Sequence, residues 1–229
     1  MVDRSNIDEL IKTEDGSHTL LFPEDGETYH SISGAMTEAE WVYLTLSGAA
    51  TRASEQLKTR ILEIGFSSGL NFVTTAIRFR QANAPLIYHG VERRRLSTNL
   101  LDQMDHIRNT DVGRTLLTTM KKKSTPLDLH LRPDIRCTVY FESVDQHSFL
   151  ENYYDIVYLD AFSPGKHPEL WAPPRLKQYR KALNSKGVLV TYSAQGALRR
   201  NLDDAGFIVE KHGGPGKKKT ITRAIVKNA

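Results

Sequence analysis

One stretch constrains the fold more than any other: Ile61-Leu62-Glu63-Ile64-Gly65-Phe66-Ser67-Ser68-Gly69-Leu70-Asn71. A short apolar run closes on an acid and a glycine, then passes into a helical pattern of Leu70, Phe72, Val73, Ala76 and Ile77. An α/β sheet begins this way when its first loop approaches a ligand. Gly65 and Gly69 carry no side chain, so backbone can lie against a bound molecule there. Two glycines are a weak signal alone, because many strand-to-helix junctions need glycine only for backbone freedom.

The dinucleotide fingerprint needs a middle glycine, and Ser67 stands in its place. That argues against a pyrophosphate ligand. S-adenosylmethionine fits better, because its sulfonium and ammonium are cationic and suit Glu63 at the strand end. Three further strands close on acids. Leu86 to Glu92, after Pro85, puts Glu92, a little farther from the glycine turn than usual, where nucleotide-binding sheets hold both ribose hydroxyls, a surface glutamate being the plain reading. Arg136 to Glu142 puts Glu142 and Ser143 where such folds meet an adenine amino group, with Asp145 as the competing choice and a helix cap as the plain one. Tyr154 to Asp160 runs into Ala161-Phe162-Ser163-Pro164-Gly165-Lys166-His167-Pro168-Glu169-Leu170-Trp171, an acid followed by aromatic and proline residues at the ligand edge of the sheet. A helix cap is the plain reading of Asp160 and core packing that of Phe162 and Trp171, but a flat ring beside a carboxylate suits a flat base.

Around these strands, residues 1–12 read as a loose lead-in, and His18–Phe22 and Thr28–Ile32 as a hairpin about an Asp-Gly turn. Thr37-Glu38-Ala39-Glu40 fits a capping box opening a helix that buries Trp41 and Leu44, with Val42 and Leu46, and ends at Gly48. This extension is either a flap over the ligand mouth or packing for the sheet edge, and packing is the preferred reading. Residues 97–123 form one broken helix or two short ones. A helix over 175–183, a strand over 187–192, a helix through Leu198 and Leu202, and an antiparallel strand pair about Phe207–Val209 and Thr220–Val226 complete the chain. The expected division is an N-terminal extension over residues 1–57 and a cofactor-binding domain over 58–229.

At 229 residues, 39% hydrophobic and 25% charged, the chain can bury one sizeable core. The single cysteine, Cys137, forms no internal disulfide and offers no metal-site spacing, so no metal is expected. No stretch approaches the roughly 18 apolar residues of a membrane span, and the polar start lacks a signal-peptide core, so cytoplasmic residence is the default expectation. The net charge of +4 is modest but clustered in Arg93–Arg95, Lys121–Lys123, Arg199-Arg200 and Lys217-Lys218-Lys219. Solvated surface is the plain reading of such runs; sharing one face, they would grip a polyanion such as RNA.

Taken together, these residues resemble the MnmC-type tRNA methyltransferases. The likeness is densest in Glu63 to Phe72, in Leu159 to Trp171, in Val190-Thr191-Tyr192-Ser193-Ala194-Gln195-Gly196-Ala197-Leu198-Arg199-Arg200 and in Ala205-Gly206-Phe207, and it extends to the hairpin and His30-Ser31. Ser67, Gly165 and His167 depart from the family's usual glycine, alanine and asparagine, and the first narrows the cofactor turn. The resemblance implies a Rossmann-like class I methyltransferase sheet, mostly parallel with an antiparallel C-terminal pair. It also implies S-adenosylmethionine as cofactor, held by Glu63, Gly65, Phe66, Ser67, Gly69, Asn71, Glu92, Glu142, Ser143 and Asp160.

The implied reaction methylates the amine of 5-aminomethyl-(2-thio)uridine at the tRNA wobble position. Asp160 would orient the amine and accept its proton, and Phe162 would pack on the base. Pro164, Lys166, Trp171, Arg199, Arg200, Lys217, Lys218 and Lys219 are the expected substrate and RNA contacts. Many members fuse this module to an FAD-dependent oxidase; 229 residues leave no room for one, so a stand-alone module supplied by a separate enzyme is expected. A small-molecule amine methyltransferase or aminopropyltransferase would share the sheet and acids but ignore tRNA, and a non-catalytic RNA-binding protein would ignore the cofactor.

Overall fold

The computed structural model describes residues 9–24, 26–215 and 220–227. Its centre is an eight-stranded sheet in the order β10-β11-β9-β8-β4-β5-β7-β6. These strands are β4 (Thr59–Ile64), β5 (Leu86–Val91), β6 (Leu127–Arg132), β7 (Ile135–Tyr140), β8 (Tyr154–Leu159), β9 (Leu183–Thr191), β10 (Phe207–His212) and β11 (Ile221–Val226). The five strands from β9 to β7 are mutually parallel, whereas β11 and β10 on one flank and β6 on the other run antiparallel to their neighbours. The strand order turns back at β4, with β5 on one side and β8 on the other, which opens a crevice at their carboxyl ends.

The central strands read as continuous apolar runs because both faces are covered. Ile61, Tyr88 and Tyr158 pack one face against α3 (Leu70–Gln81), α6 (Asp111–Met120) and α2 (Ala49–Ser54). Leu62, Ile64, Val157 and Leu159 pack the other against α7 (Pro173–Ala182) and α8 (Gly196–Asp204). Between β5 and α6, the chain makes two single turns, α4 (Thr98–Leu101) and α5 (Asp105–Arg108), so the expected broken helix is three pieces.

The N-terminal region departs from expectation in three respects. First, it is a three-stranded sheet: β1 (Glu9–Lys12) pairs with β2 (His18–Phe22), inside the segment read as a loose lead-in. The returning strand β3 (Glu27–Thr28) is two residues long. Asp25 of the expected turn lies outside the described residues.

Second, the following helix starts at Ala35 rather than after a Thr37 cap, as α1 (Ala35–Glu38) continuing into a π-helical Ala39–Leu46. Its first N–H groups are satisfied from a distance: Thr37 donates to Asp15 at 2.9 Å and Met36 to Ser17 Oγ at 3.1 Å. Third, the buried side of this helix is Val42 and Tyr43, while Trp41 is 45% exposed and donates its indole N–H to Gly213. The wider π turn rotates the apolar stripe, which a 3.6-residue period misplaces.

The antiparallel β6 was also absent from the sequence-based expectation. Its alternating Leu127, Leu129 and Leu131 against polar partners is the signal for it.

Candidate active site

Backbone pairing carries one residue beyond each central strand and brings their tips level. Gly65 donates to Val91 at 3.0 Å, Asp160 to Ile64 at 2.9 Å and Glu92 to Tyr140 at 3.0 Å. As a result Gly65, Glu92 and Asp160 line a single cavity, together with Ser67, Ser143 and Phe162. Phe22 and Tyr29 of the N-terminal sheet cover it. Both roles weighed for that extension are filled: Phe22 and Tyr29 lie at the mouth, while Val42, Tyr43, Ala49 and Ala53 pack in the core against the sheet.

Glu92 is fixed at the mouth: its carboxylate accepts Ser67 N–H at 2.9 Å and Arg94 N–H at 2.8 Å. Burial raises its pKa, and those two bonds oppose the rise. Ser67 takes a left-handed conformation, φ 52°, which explains why a glycine is usual at that point of such a turn. Its hydroxyl is buried with no hydrogen-bond partner.

Asp160 sits deeper, its side chain 1% exposed. Tyr43 donates to Oδ1 at 2.6 Å, and Asn71 Nδ2 donates to Oδ2 at 2.7 Å. His30 Nδ1 lies 3.5 Å from Oδ2. The same Asn71 amide reaches Glu63 at 2.8 Å, and Tyr88 donates to the other Glu63 oxygen at 2.8 Å. Burial first, and the Asp160 charge second, push the Glu63 carboxyl well above its ordinary range. Glu63 and Asn71 thus lie one layer beneath the cavity wall, where they set the posture of Asp160. Phe66 and Gly69 are likewise behind the wall, Phe66 packed edge-on to Tyr88.

The loop after Asp160 is held from three sides. Trp171 donates its indole N–H to Phe162 O at 2.8 Å, Tyr192 donates to Ala161 O at 2.9 Å, and Glu27 accepts Ser163 N–H at 3.0 Å. Phe162 then stacks on Phe22 with ring centres 5.2 Å apart, and Tyr29 meets it at 4.9 Å. The Arg94 guanidinium lies over the outer aromatic, 4.8 Å from the Phe22 centroid.

Several expected contacts are placed differently. Trp171 is 3% exposed and its one donor is spent on Phe162, so it braces the loop and presents no face to RNA. Glu142 accepts from His147 at 2.8 Å outside the cavity lining, whereas Asp145, the competing choice, does line it and is paired with Arg175. Lys166 and Arg200 are exposed, Pro164 and Arg199 half-buried. Lys217, Lys218 and Lys219 lie outside the described residues.

Tyr43, Glu27, Phe22, Tyr29 and Tyr88 had drawn no functional reading. Each acts through a partner far away in sequence, and Tyr43 and Asp160 are 117 positions apart. No helix among the described residues is long and apolar enough to cross a membrane, and no cluster of metal-ligating side chains occurs among them.

Residues 109–227 match a family model described as S-adenosyl-L-methionine-dependent methyltransferase. Among curated proteins, the tRNA 5-methylaminomethyl-2-thiouridine biosynthesis bifunctional protein MnmC of Burkholderia mallei is 29% identical over 242 residues. The match covers 96% of this chain and 36% of that protein, and the Burkholderia pseudomallei protein of the same name matches equally. The chain thus spans about a third of the length of those relatives. The crystal structure of MNMC2 from Aquifex aeolicus superposes with a TM-score of 0.82 at 25% identity, covering 99% of this chain and 72% of that one. Spermidine synthase from Thermotoga maritima shares the fold at a TM-score of 0.56 and 13% identity, covering 96% and 70%.

Proposed function

The chain belongs to the S-adenosyl-L-methionine-dependent methyltransferases, and from that premise we propose that it methylates the amine of 5-aminomethyl-(2-thio)uridine at the wobble position of tRNA. The observation that carries the proposal is the convergence of Gly65, Glu92 and Asp160 on one cavity roofed by Phe22, Tyr29 and Phe162. The names of the Burkholderia and Aquifex relatives support the choice of acceptor.

The residues fit the cofactor. Glu92 has a spare lone pair on each oxygen for ribose hydroxyls, and Ser67 offers a buried hydroxyl without a partner. Ser143 and Asp145 line the cavity near the β7 end and suit the adenine amino group. Bound there, S-adenosylmethionine would supply an electrophilic methyl group, whose carbon bonds to the amine nitrogen as the carbon–sulfur bond breaks and the thioether leaves. The protein's task is therefore to hold that nitrogen about 3 to 3.5 Å from the methyl carbon and to remove one proton from it.

Asp160, held by Tyr43 and Asn71, orients the amine and accepts the proton; such help is typically worth about 10²- to 10⁴-fold. Phe162, stacked on Phe22 and tilted against Tyr29, packs against the uracil and excludes water. Arg93 and Arg94 at the mouth, with exposed Lys166 and Arg200, supply positive charge for an RNA backbone.

The direct test is methyl incorporation into tRNA from cells lacking this activity. Saturable incorporation supports the proposal. Transfer to free alkylamines that bulk tRNA does not inhibit would favour a small-molecule methyltransferase instead.

A further inference from the structure

The geometry points to His30 as a positioning residue for the transfer: acting through Asp160, it takes over the proton that the amine substrate releases. This inference rests on the amine acceptor proposed above. His30 is 4% exposed, with Nδ1 3.5 Å from Asp160 Oδ2. Its backbone N–H is tied to Thr19 Oγ1 at 2.9 Å, which fixes its place beneath the N-terminal sheet. Its other ring nitrogen, Nε2, is buried with no hydrogen-bond partner. A buried, half-satisfied imidazole is costly compared with an apolar ring of the same size, so packing alone does not account for it.

The groups around Asp160 leave few ways for a proton to move on. Tyr43 already donates to Oδ1, and burial and nearby carboxylates hold its hydroxyl well above the usual range. Asn71 is an amide and accepts no proton at the nitrogen that faces Asp160. Glu63 lies beyond Asn71 and makes no contact with Asp160, and burial raises its carboxyl well above the ordinary range. Tyr192 spends its hydroxyl on Ala161 O. His106, on α5, is turned to Ser68 O, and burial drops its pKa to about 4. Glu38 accepts from Ser31 N–H beside His30. Among the described residues of this cluster, His30 combines an approach to Asp160 through Nδ1 with a second ring nitrogen that carries no hydrogen bond.

The step balances. An alkylammonium gives one N–H proton to Asp160 Oδ2, which passes it to the lone pair of His30 Nδ1 and is again a carboxylate. The freed nitrogen lone pair forms the bond to the methyl carbon as the carbon–sulfur bond breaks, its electron pair staying on sulfur. The methylated ammonium carries the positive charge away, and the imidazolium of His30, facing Asp160, later loses its proton to water. The 3.5 Å separation is looser than a hydrogen bond, as catalytic contacts often are before substrate tightens them.

The test compares His30→Gln and His30→Phe with the wild-type protein in methyl transfer to tRNA from about pH 6 to about pH 9, with calorimetry of S-adenosylmethionine binding as the readout of folding. The expected result is a roughly 10- to 100-fold fall in kcat near pH 7 that shrinks as pH rises toward the amine's own pKa, with cofactor affinity changed less than about 3-fold. A pH profile that keeps the wild-type shape overturns the inference, and so does a fall in kcat matched by an equal fall in cofactor affinity at every pH. If wild-type protein binds the cofactor but transfers nothing to tRNA, the acceptor reading fails. The same comparison with a small alkylamine as acceptor then decides the role of His30 on its own.

Discussion

Glu27 and Ser163 lie 136 positions apart, yet one carboxylate of the N-terminal sheet accepts both the backbone N–H and the hydroxyl of the serine that follows Phe162. The pair ties the roof of the cavity to the loop that carries Asp160 and Phe162. Charge-assisted bonds of this kind contribute about 1.5 to 3 kcal/mol, and partial exposure puts this pair at the low end. Glu27→Ala should lower kcat/KM for tRNA by about 10-fold while reducing Tm by only a few degrees. Unchanged kcat/KM, with a normal melt, would show that the sheet roofs the cavity without positioning the loop.

Tyr43 supplies the donor to Asp160 Oδ1 at 2.6 Å. Phenylalanine keeps the ring, which packs on Tyr158 at 5.3 Å, and removes the hydroxyl alone. Tyr43→Phe should therefore destabilise the fold by about 1 to 2 kcal/mol and lower kcat by about 10-fold with little change in cofactor affinity. Urea unfolding and steady-state methyl transfer check the two halves separately. A variant with wild-type kcat would mean that Asn71 holds Asp160 well enough alone.

Glu63 makes a stability prediction with a definite sign. Burial makes its carboxyl titrate well above the ordinary glutamate range in the folded chain, so the folded state binds a proton that the unfolded state has released. The contribution is full below that ordinary range and is lost as pH rises through the folded pKa. An amide in its place cannot titrate, so the stability of Glu63→Gln relative to wild type should increase with pH between about pH 5 and about pH 8 in urea unfolding. A difference that stays flat across that window would place the proton elsewhere in the Glu63, Asn71, Asp160 network.

How much of this was legible beforehand depends on the range of the interaction. The strands ending in Gly65, Glu92 and Asp160, with the helix from Leu70, are local patterns of apolar runs and turn residues, and the sequence carries them openly. The three tips meet because neighbouring parallel strands are in register, which follows from the fold class alone. Tyr43 was hidden because the π turn displaced it from the expected stripe, and Glu27 because its partner is a loop residue far along the chain. The alternation of Leu127, Leu129 and Leu131 that marks β6 follows closely on a run of lysines, which reads as surface. A histidine beside an acid, as at His30, has no local pattern at all.

Glu142 and Asp145 divide a role that strand position alone left between them. Glu142 is engaged by His147, whereas Asp145 faces the cavity with Arg175 beside it. Asp145→Asn should weaken S-adenosylmethionine binding several-fold by calorimetry, because a carboxylate accepts from an adenine amino group better than an amide does. Glu142→Gln should leave it within about 3-fold. The reverse pattern would return the adenine contact to Glu142.

Gly65 offers the sharpest separation of two explanations. Glycine at this turn is expected to let a ligand approach, yet a Cβ here would lie 2.5 Å from Asp160 O, and φ is +92°. The residue is therefore needed first for the protein's own backbone, so that β4 and β8 can bring their tips together. Gly65→Ala must shift Asp160 and strain the turn, which predicts a loss of activity of at least about 100-fold together with about 1 to 3 kcal/mol of stability. Gly69 is a control of similar strain, φ +77°, whose Cβ would meet the Leu116 and Phe66 side chains and not Asp160. Gly69→Ala should destabilise to a similar degree while leaving kcat of the folded fraction much closer to wild type. Equal losses of kcat in the two variants would show that the turn fails as a whole, and that the approach of Gly65 to Asp160 has no separate role.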